Sequence, residues 1–176
     1  EAILARIRAT PGIESAGFTR AGILIPEEIL VGTFVPVGRT LGEMQADSMK
    51  PRLRPVSHGY LSAMGVPLLA GREFDAADGV SSRRVIVISR TVAQRYFGAG
   101  SAIGRLVDWQ FGDVISQMQV IGVVEDVRNE SPDREAAPDI FVDYRQLMAL
   151  MQERVMAAPR QDNTAMGFLS VAVRTK

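Results

Sequence analysis

The chain of 176 residues contains no cysteine and only one histidine, His58. Without cysteine it has no disulfide framework, no thiol nucleophile and no cysteine-ligated zinc, and a single histidine is too few for the usual zinc centres. The lack of cysteine is compatible with both the cytoplasm and the periplasm, so by itself it does not locate the protein.

The sequence also lacks an excess of charge of either sign, and it lacks long hydrophobic runs. Lysine plus arginine and aspartate plus glutamate number 20 each, so no net field attracts nucleic acid or an anionic membrane surface. The longest apolar runs, such as Leu147 to Met151, fall far short of the ~20 residues that span a bilayer. Hydrophobic residues make up 47% and charged residues 23%, a balance typical of an ordinary folded domain.

His58 is the only residue that could complete a serine–histidine catalytic site, and Ser57 precedes it directly. Residues adjacent in the sequence need not face each other, and the chain contains no GxSxG motif. A polar residue that opens a helix is the simpler interpretation of His58. A small hydrolase that uses His58 stays open as an alternative.

Three carboxylate pairs and one glycine-rich segment are the remaining candidates for metal or phosphate binding. The pairs lack the ligand spacing and the central glycine of a calcium loop, so we interpret them as solvated loop charges: Asp75/Asp78, Glu125/Asp126 and Asp133/Glu135. The segment Gly98 to Gly104 follows a helical pattern and precedes a strand, the reverse of a dinucleotide fingerprint, which favours a structural turn. We predict no metal and no cofactor.

The stretch from Val56 to Phe97 contains the clearest local signals. The amphipathic segment Tyr60 to Met64 predicts a short helix that ends at Gly65, a residue that tolerates positive φ. The continuous β-branched run Val85 to Ile88 predicts a strand covered on both faces. Ser89 is placed to cap the helix that follows.

Shorter patterns predict the other elements. We expect a helix at Ala2–Ala9, a polar loop at Gly38–Lys50, and an edge strand within Met49–Val56, because Pro51 and Pro55 cannot donate hydrogen bonds. Further strands are expected at Ile13–Phe18, Val31–Val37, Arg105–Phe111, Gln117–Val127 with a bulge at Gly122, Ile140–Tyr144 and Phe168–Val173. About eight strands and three or four helices without βαβα alternation predict an α+β fold.

Several blocks stand in a fixed order along the chain: VSHGYLSAMGVPLLAGREF, VIVISRTVAQRYFG, SAIGRLV, QVIGVVEDVR and PDIFVDYRQL. In these blocks the chain resembles the periplasmic core domain of MacB-like ABC transporter permeases, and most closely the bacterial permeases in which such domains occur in duplicate. The resemblance spans Ile3 to Arg174.

The resemblance implies two lobes. Residues 1–76 and 166–176 would form an αβ lobe similar to the porter domains of efflux proteins, and residues 77–165 would form an inserted, mostly β lobe. The terminal strand near Val171 would then lie beside the N-terminal helix and strand. The first and last residues of the chain suggest a fragment of a longer permease, whose gene we expect to encode hydrophobic spans on both sides.

The resemblance also implies a non-catalytic, periplasmic domain of an inner-membrane permease. Such a domain would pass conformational change from cytoplasmic ATP hydrolysis to substrate export or handling outside the inner membrane. The implied partners are a second permease subunit or half, a cytoplasmic ATPase, and a periplasmic adaptor or lipoprotein chaperone. A free-standing extracytoplasmic binding module is a further alternative.

The segment Gln146 to Ala158 contains more apolar residues than an ordinary loop. Methionine side chains adapt to irregular surfaces, so Met148, Met151 and Met156 are candidates for contact with a partner protein or an apolar substrate. The alternative is that the segment packs on its own domain as a short helix.

Overall fold

The computed structural model describes residues 2–19, 32–98, 100–111, 114–127, 138–157 and 170–176. These residues form five helices and nine strands, and no helix among them is both long enough and apolar enough to cross a membrane. In chain order the elements are α1 (Ala2–Arg8), β1 (Ile13–Thr19), β2 (Thr33–Pro36), α2 (Leu41–Ala46), β3 (Arg52–Val56), α3 (Tyr60–Met64), β4 (Leu68–Gly71), β5 (Val85–Ser89), α4 (Arg90–Phe97), β6 (Leu106–Phe111), β7 (Val114–Val124), β8 (Asp139–Asp143), α5 (Tyr144–Ala157) and β9 (Ser170–Thr175).

All nine strands belong to one mixed sheet. Its order is β2-β6-β7-β5-β8-β3-β1-β9, and β4 pairs with β7 beside this path. The pairs β3–β8 and β5–β7 are parallel, whereas the other pairs are antiparallel. The helices do not alternate regularly with the strands, so the α+β class predicted from the sequence is confirmed.

Strands β5 and β8 form the centre of the core, because every residue in both strands is buried. Ile86 and Ile88 pack into one hydrophobic cluster, whereas Val85 and Val87 pack into a second cluster on the opposite face of β5. The predicted strand covered on both faces is therefore confirmed.

The two ends of the described chain meet in the sheet. Strands β1 and β9 are antiparallel neighbours, with Phe18 opposite Val171 and Ile13 opposite Thr175. This pairing confirms the expectation that the terminal strand lies beside the N-terminal one. Helix α3 packs on the same pair of strands, and it ends at Gly65 with a φ of 68°, as the sequence predicts.

The predicted bulge at Gly122 is also confirmed. The register between β5 and β7 shifts by one residue between the pairs Ile86–Val120 and Val87–Gly122. A Cβ atom at Gly122 would lie 2.3 Å from the carbonyl oxygen of Arg72, so glycine is needed here for the close approach of two backbones.

The prediction of a loop at Gly38–Lys50 was wrong, because this segment contains helix α2. Thr40 caps the helix: its hydroxyl accepts a hydrogen bond from the Glu43 N–H (3.2 Å), and the Glu43 carboxylate accepts one from the Thr40 N–H (2.6 Å). This reciprocal pair is a capping box. The T-x-x-E spacing was visible in the sequence, but the polar composition of the segment concealed it.

The prediction that β3 lies at an edge was also wrong. β3 lies inside the sheet, parallel to β8 along five residue pairs and antiparallel to β1 at the single pair Thr19–Val56. The carbonyl oxygen of Pro55 accepts a hydrogen bond from the Thr19 hydroxyl (3.0 Å), so the missing N–H of Pro55 faces β1 rather than β8. Proline is tolerated because the pairing with β1 is so short.

The division into lobes at residues 1–76 with 166–176 and at 77–165 stays a prediction. Three strand pairs join the two proposed segments within the one sheet: β2 with β6, β3 with β8 and β4 with β7.

Candidate functional site

His58 lies at the junction of α1, β1 and the turn before α3. Its Nε2 atom is 2.5 Å from Nη1 of Arg8, whose Nη2 donates to the carbonyl oxygens of His58 (2.7 Å) and Ala16 (2.8 Å). Arg8 therefore joins three elements at one point. The Nε2 atom that a general base would present to a nucleophile is therefore in contact with Arg8.

Ser57 does not face His58 as a nucleophile would. Its hydroxyl accepts a hydrogen bond from the Phe18 N–H (2.9 Å) and donates to the His58 carbonyl oxygen (3.1 Å). Both contacts are to backbone atoms, and Ser57 is buried. The geometry thus gives the hydrolase alternative no serine activated by His58.

Asp78 was predicted to be a solvated loop charge, and this prediction was wrong. The residue is only 4% exposed. Its two carboxylate oxygens accept hydrogen bonds from Nη1 (2.6 Å) and Nη2 (2.9 Å) of Arg72. Arg72 is the main reason why the pKa of Asp78 is below its ordinary value, although burial opposes the effect. Asp75, its predicted companion, is indeed exposed.

The loop around Asp78 is also bound to the start of α5. Arg145 donates from Nη2 to the carbonyl oxygen of Asp78 (2.8 Å) and to the Asp143 carboxylate (2.9 Å). Gln146 accepts a hydrogen bond from the Val85 N–H (3.0 Å). Its amide nitrogen donates to the Gly79 carbonyl oxygen, the Ser82 hydroxyl and the Arg83 carbonyl oxygen at 3.0–3.1 Å.

A buried carboxylate lies where the parallel strands β3 and β8 begin. Asp139 is fully buried, and its Oδ1 atom is 3.1 Å from Nε of Arg52 and 3.0 Å from Nε of Arg54. Burial raises the pKa of Asp139, and the two arginines only partly offset this. The Asp139 N–H donates to the Ser89 hydroxyl (3.2 Å), which links β8 to the end of β5.

Ser89 stands directly before α4, but its side chain does not cap the helix, contrary to the prediction. Its hydroxyl is engaged with Asp139 instead. The cap is supplied by Asp126, whose carboxylate accepts hydrogen bonds from the Thr91 N–H (3.0 Å) and the Thr91 hydroxyl (2.8 Å). Glu125 forms an ion pair with Arg90. The pair Glu125/Asp126 therefore fastens α4 to the end of β7.

The remaining predictions concern the glycine-rich segment at Gly98 to Gly104 and the candidate metal ligands. Gly98 has a φ of 61° and ends α4, and Gly104 has a φ of 83° in the turn before β6, in agreement with a structural turn. Among the described residues, no three acidic or histidine side chains are grouped so that they could hold a metal ion. Asp133 and Glu135 lie outside the described residues.

The predicted contact segment forms helix α5. Leu147 and Leu150 are buried in a hydrophobic cluster, and the half-buried Met148 and Met151 pack against that cluster. The side chain of Met156 lies outside the described part of the chain. Part of this segment thus packs on its own domain, and its contact with a partner stays a proposal.

Sequence reasoning missed Arg8, Arg72, Arg145 and Gln146, which carry many of the polar contacts in the domain. Apart from Arg72, they have partners that are distant in sequence: Arg8 and His58 are 50 positions apart, and Val85 and Gln146 are 61 apart. No local pattern signals such pairs, because their proximity depends on the order of the strands.

The fold is shared with crystal structures from ABC transporters. The periplasmic region of MacB from Actinobacillus actinomycetemcomitans aligns with a TM-score of 0.60 and 16% identity, over 99% of this chain and 63% of that chain. The extracellular domain of the noncanonic ABC-type transporter YknZ from Gram-positive bacteria aligns with a TM-score of 0.54 and 19% identity, over 100% of this chain and 72% of that chain. At these identities the likeness shows the fold alone.

Sequence comparison gives the family. A sequence profile described as MacB-like periplasmic core domain matches residues 4–176. The macrolide export ATP-binding/permease protein MacB 1/2 of Paracoccus denitrificans is 29% identical over 104 residues, which are 59% of this chain and 15% of that protein. The chain belongs to the MacB-like periplasmic core domain family. The predicted family, and with it a periplasmic location, is therefore confirmed.

Proposed function

We propose that this domain is non-catalytic and transmits conformational change from cytoplasmic ATP hydrolysis to the export or handling of a substrate outside the inner membrane. The export role is supported by the family and by the similarity to the macrolide export protein of Paracoccus denitrificans. The proposed partners are a second permease subunit or half, a cytoplasmic ATPase, and a periplasmic adaptor or lipoprotein chaperone.

The observation that carries this proposal is the pairing of β1 with β9. Six residue pairs, from Ile13–Thr175 to Thr19–Ser170, connect the two ends of the described chain. A displacement applied at either end therefore acts directly on the sheet. β1 continues through β3 to the fully buried strands β8 and β5, which resist bending because their side chains are packed on both faces.

The polar contacts support the same role. Arg8 binds backbone atoms of β1 and of the turn before α3, Arg145 ties the start of α5 to the loop around Asp78, and Gln146 binds backbone atoms of that loop and of β5. Such contacts keep loops and helices in register with the sheet when the domain moves. The geometry of Ser57 and His58, by contrast, supports positions in packing rather than in a reaction.

A disulfide across β1 and β9 tests the proposal. The Lys176 N–H donates to the Gly12 carbonyl oxygen (3.1 Å), so the next pair, Ile13–Thr175, is a non-hydrogen-bonded pair with the closer Cα spacing. This chain has no other cysteine. We expect the full permease with Ile13→Cys and Thr175→Cys to keep ATP-dependent export after oxidation, because the two strands stay paired throughout the cycle.

The two single-cysteine variants are the controls for that experiment. Export that falls on oxidation of the double variant alone, and returns with a reductant, would show that the strands separate during transport. The proposal of transmission through a continuous sheet would then be wrong.

We also propose that α5 contacts a partner through Met148, Met151 and Met156. The half-burial of Met148 and Met151 leaves part of each side chain accessible. Replacing the three methionines together by glutamine is expected to weaken export, whereas replacing them by leucine, which keeps the apolar packing of Met148 and Met151, is expected to retain it. Unchanged export in the glutamine variant would show that the segment makes no such contact.

A further inference from the structure

A groove lies where the end of β2, the end of α4 and the start of β6 meet. It has a volume of about 460 Å³. Its lining includes four side chains with large apolar parts and two arginines: Val37, Tyr96, Phe97, Leu106, Arg39 and Arg105.

Backbone hydrogen bonds define the walls of the groove. The Val37 N–H donates to the Leu106 carbonyl oxygen (3.2 Å), which extends the β2–β6 pairing by one residue. The Arg39 N–H then donates to the Pro36 carbonyl oxygen (3.0 Å) in a turn. Arg39 follows this turn and Arg105 precedes β6, and both line the groove.

The apolar part of the groove is accessible to solvent. Val37 is 64% exposed, and Tyr96, Phe97 and Leu106 are half-buried. Burial raises the pKa of Tyr96 to about 12, so its phenol stays neutral at physiological pH and adds no negative charge. A single exposed valine is ordinary on a protein surface. Here Val37 lies in the same groove as Tyr96, Phe97 and Leu106, and together these side chains form an apolar surface that a ligand can cover.

Neither arginine forms an ion pair with a described residue. The Arg39 guanidinium also forms no hydrogen bond with the described residues, and Arg105 has only a long contact (3.5 Å) with the Ser101 carbonyl oxygen. No lining residue is acidic. The Glu43 carboxylate interacts electrostatically with Arg39, but it accepts its hydrogen bonds from the N–H and the hydroxyl of Thr40.

We propose that this groove binds a small anionic amphiphile, a molecule with one carboxylate, sulfate or phosphate group on an apolar body. The arginines would hold the anionic group, since the guanidinium matches such oxygens with paired donors. The apolar body would cover Val37 and Phe97. The volume lies within the range of about 300–1,000 Å³ that is common for small-ligand sites. This inference goes beyond the transmission role and does not depend on it.

Titration with two ligands of opposite charge tests the proposal. Decanoate and decyltrimethylammonium share an apolar chain, and each is added below its micellar concentration while amide NMR spectra of the chain are recorded. We expect decanoate, and not the cationic ligand, to shift the amides of Val37, Arg39 and Leu106 in a saturable manner. Added salt weakens this binding, because the arginines are exposed.

Substitution separates the charge from the apolar surface. The double variant Arg39→Ala/Arg105→Ala is expected to weaken decanoate binding by about tenfold, and its unfolding midpoint is expected to stay unchanged because both side chains are exposed. Arg6→Ala is the matched control: Arg6 is also exposed, has no ion pair with a described residue, and lies on α1. Equal binding of the two ligands, shifts centred elsewhere, or an equal effect of Arg6→Ala would overturn the proposal.

Discussion

Asp78 shows how a single loop carboxylate fastens several parts of the domain. It accepts two hydrogen bonds from Arg72 and one from the Asp75 N–H (2.9 Å), and its own carbonyl oxygen accepts one from Arg145. The residue is nearly inaccessible to solvent, so water cannot replace these partners. Loss of the charge therefore weakens the hydrogen bonds from the Asp75 N–H and from Arg72, although the Arg72 side chain itself is 48% exposed.

We predict that Asp78→Asn lowers the free energy of unfolding by about 1–3 kcal/mol at pH 7, the range for hydrogen bonds to charged groups. Urea unfolding of the chain measures this difference. Asp75→Asn is the control, because Asp75 contacts the same arginine at 3.3 Å but its side chain is 56% exposed. For this variant we expect a loss of at most about 1 kcal/mol.

The effect of Asp78→Asn depends on pH with a definite sign. The pKa of Asp78 is lowered in the folded protein, so its stabilisation is fully present above the unfolded pKa of about 4. It is lost as the pH falls through the lower, folded-state pKa. The difference between wild type and Asp78→Asn should therefore shrink below about pH 4. A difference that stays constant down to pH 2 would contradict the assignment of Arg72 as the partner of a charged carboxylate.

Gln146 is the second residue whose contacts span several segments. We predict that Gln146→Leu lowers the free energy of unfolding by about 2–3 kcal/mol, because the Val85 N–H and the carbonyl oxygens of Gly79 and Arg83 lose their partner. Chemical unfolding again supplies the measurement. Gln152→Leu on the exposed part of α5 is the control, and we expect it to change stability by less than about 0.5 kcal/mol. Equal losses in the two variants would refute the role of Gln146.

At the scale of elements, the position of α3 on the sheet depends on Gly17 in β1. A Cβ atom at Gly17 would lie 2.3 Å from the backbone nitrogen of Tyr60, so any side chain there must displace the helix. We predict that Gly17→Ala lowers the free energy of unfolding by about 1–3 kcal/mol, the usual range for overpacking. The unfolding midpoint in urea reports this change.

Replacing Gly42 by alanine is expected to have the opposite effect on stability from Gly17→Ala. It lies inside α2, and a Cβ atom there would meet no other atom within 4 Å. Gly42→Ala is expected to stabilise the chain by up to about 1 kcal/mol, because alanine favours the helix over glycine. Destabilisation by Gly42→Ala, or tolerance of Gly17→Ala, would contradict the described packing of α2 or α3.

The elements that could be predicted from the sequence are those that local chemistry determines. The run Val85–Ile88 correctly predicted a buried strand, because a strand covered on both faces favours β-branched residues. Gly65 correctly predicted the end of α3, because a positive φ favours glycine. α2 was missed since its apolar stripe is weak and only its capping box identifies it. The position of β3 was predicted wrongly because its two prolines suggested an edge strand. Only the order of strands shows that the missing N–H of Pro55 lies on the side of β3 that faces β1, where few backbone hydrogen bonds form.

The polar contacts could not be predicted for a related reason. Ser89 was predicted to cap α4, whereas the position of β7 beside β5 brings Asp126, predicted as a solvated loop charge, to the start of that helix. The groove beside Arg39 and Arg105 likewise needs the pairing of β2 with β6, which joins segments about 70 residues apart in the chain.

At the scale of the whole molecule, the proposed transmission depends on a continuous sheet that joins the two ends of the described chain. β9 and β1 lead through β3 to β8 and β5, and the buried polar contacts hold the loops to this sheet. Under the proposed function, a domain built in this way would pass on a displacement rather than absorb it. Flexible residues placed at the end of β9 should therefore uncouple transport from ATP hydrolysis.

The most direct test compares export with ATP hydrolysis in the full permease after insertion of Gly-Ser-Gly between Thr175 and Lys176. The same insertion between Gly100 and Ser101, in an exposed connection before β6, is the control. We predict that the insertion after Thr175 reduces the amount of substrate exported per ATP hydrolysed by at least about tenfold, whereas the control retains the wild-type ratio. An unchanged ratio after insertion at Thr175, in a permease that still folds and hydrolyses ATP, would contradict transmission through this domain.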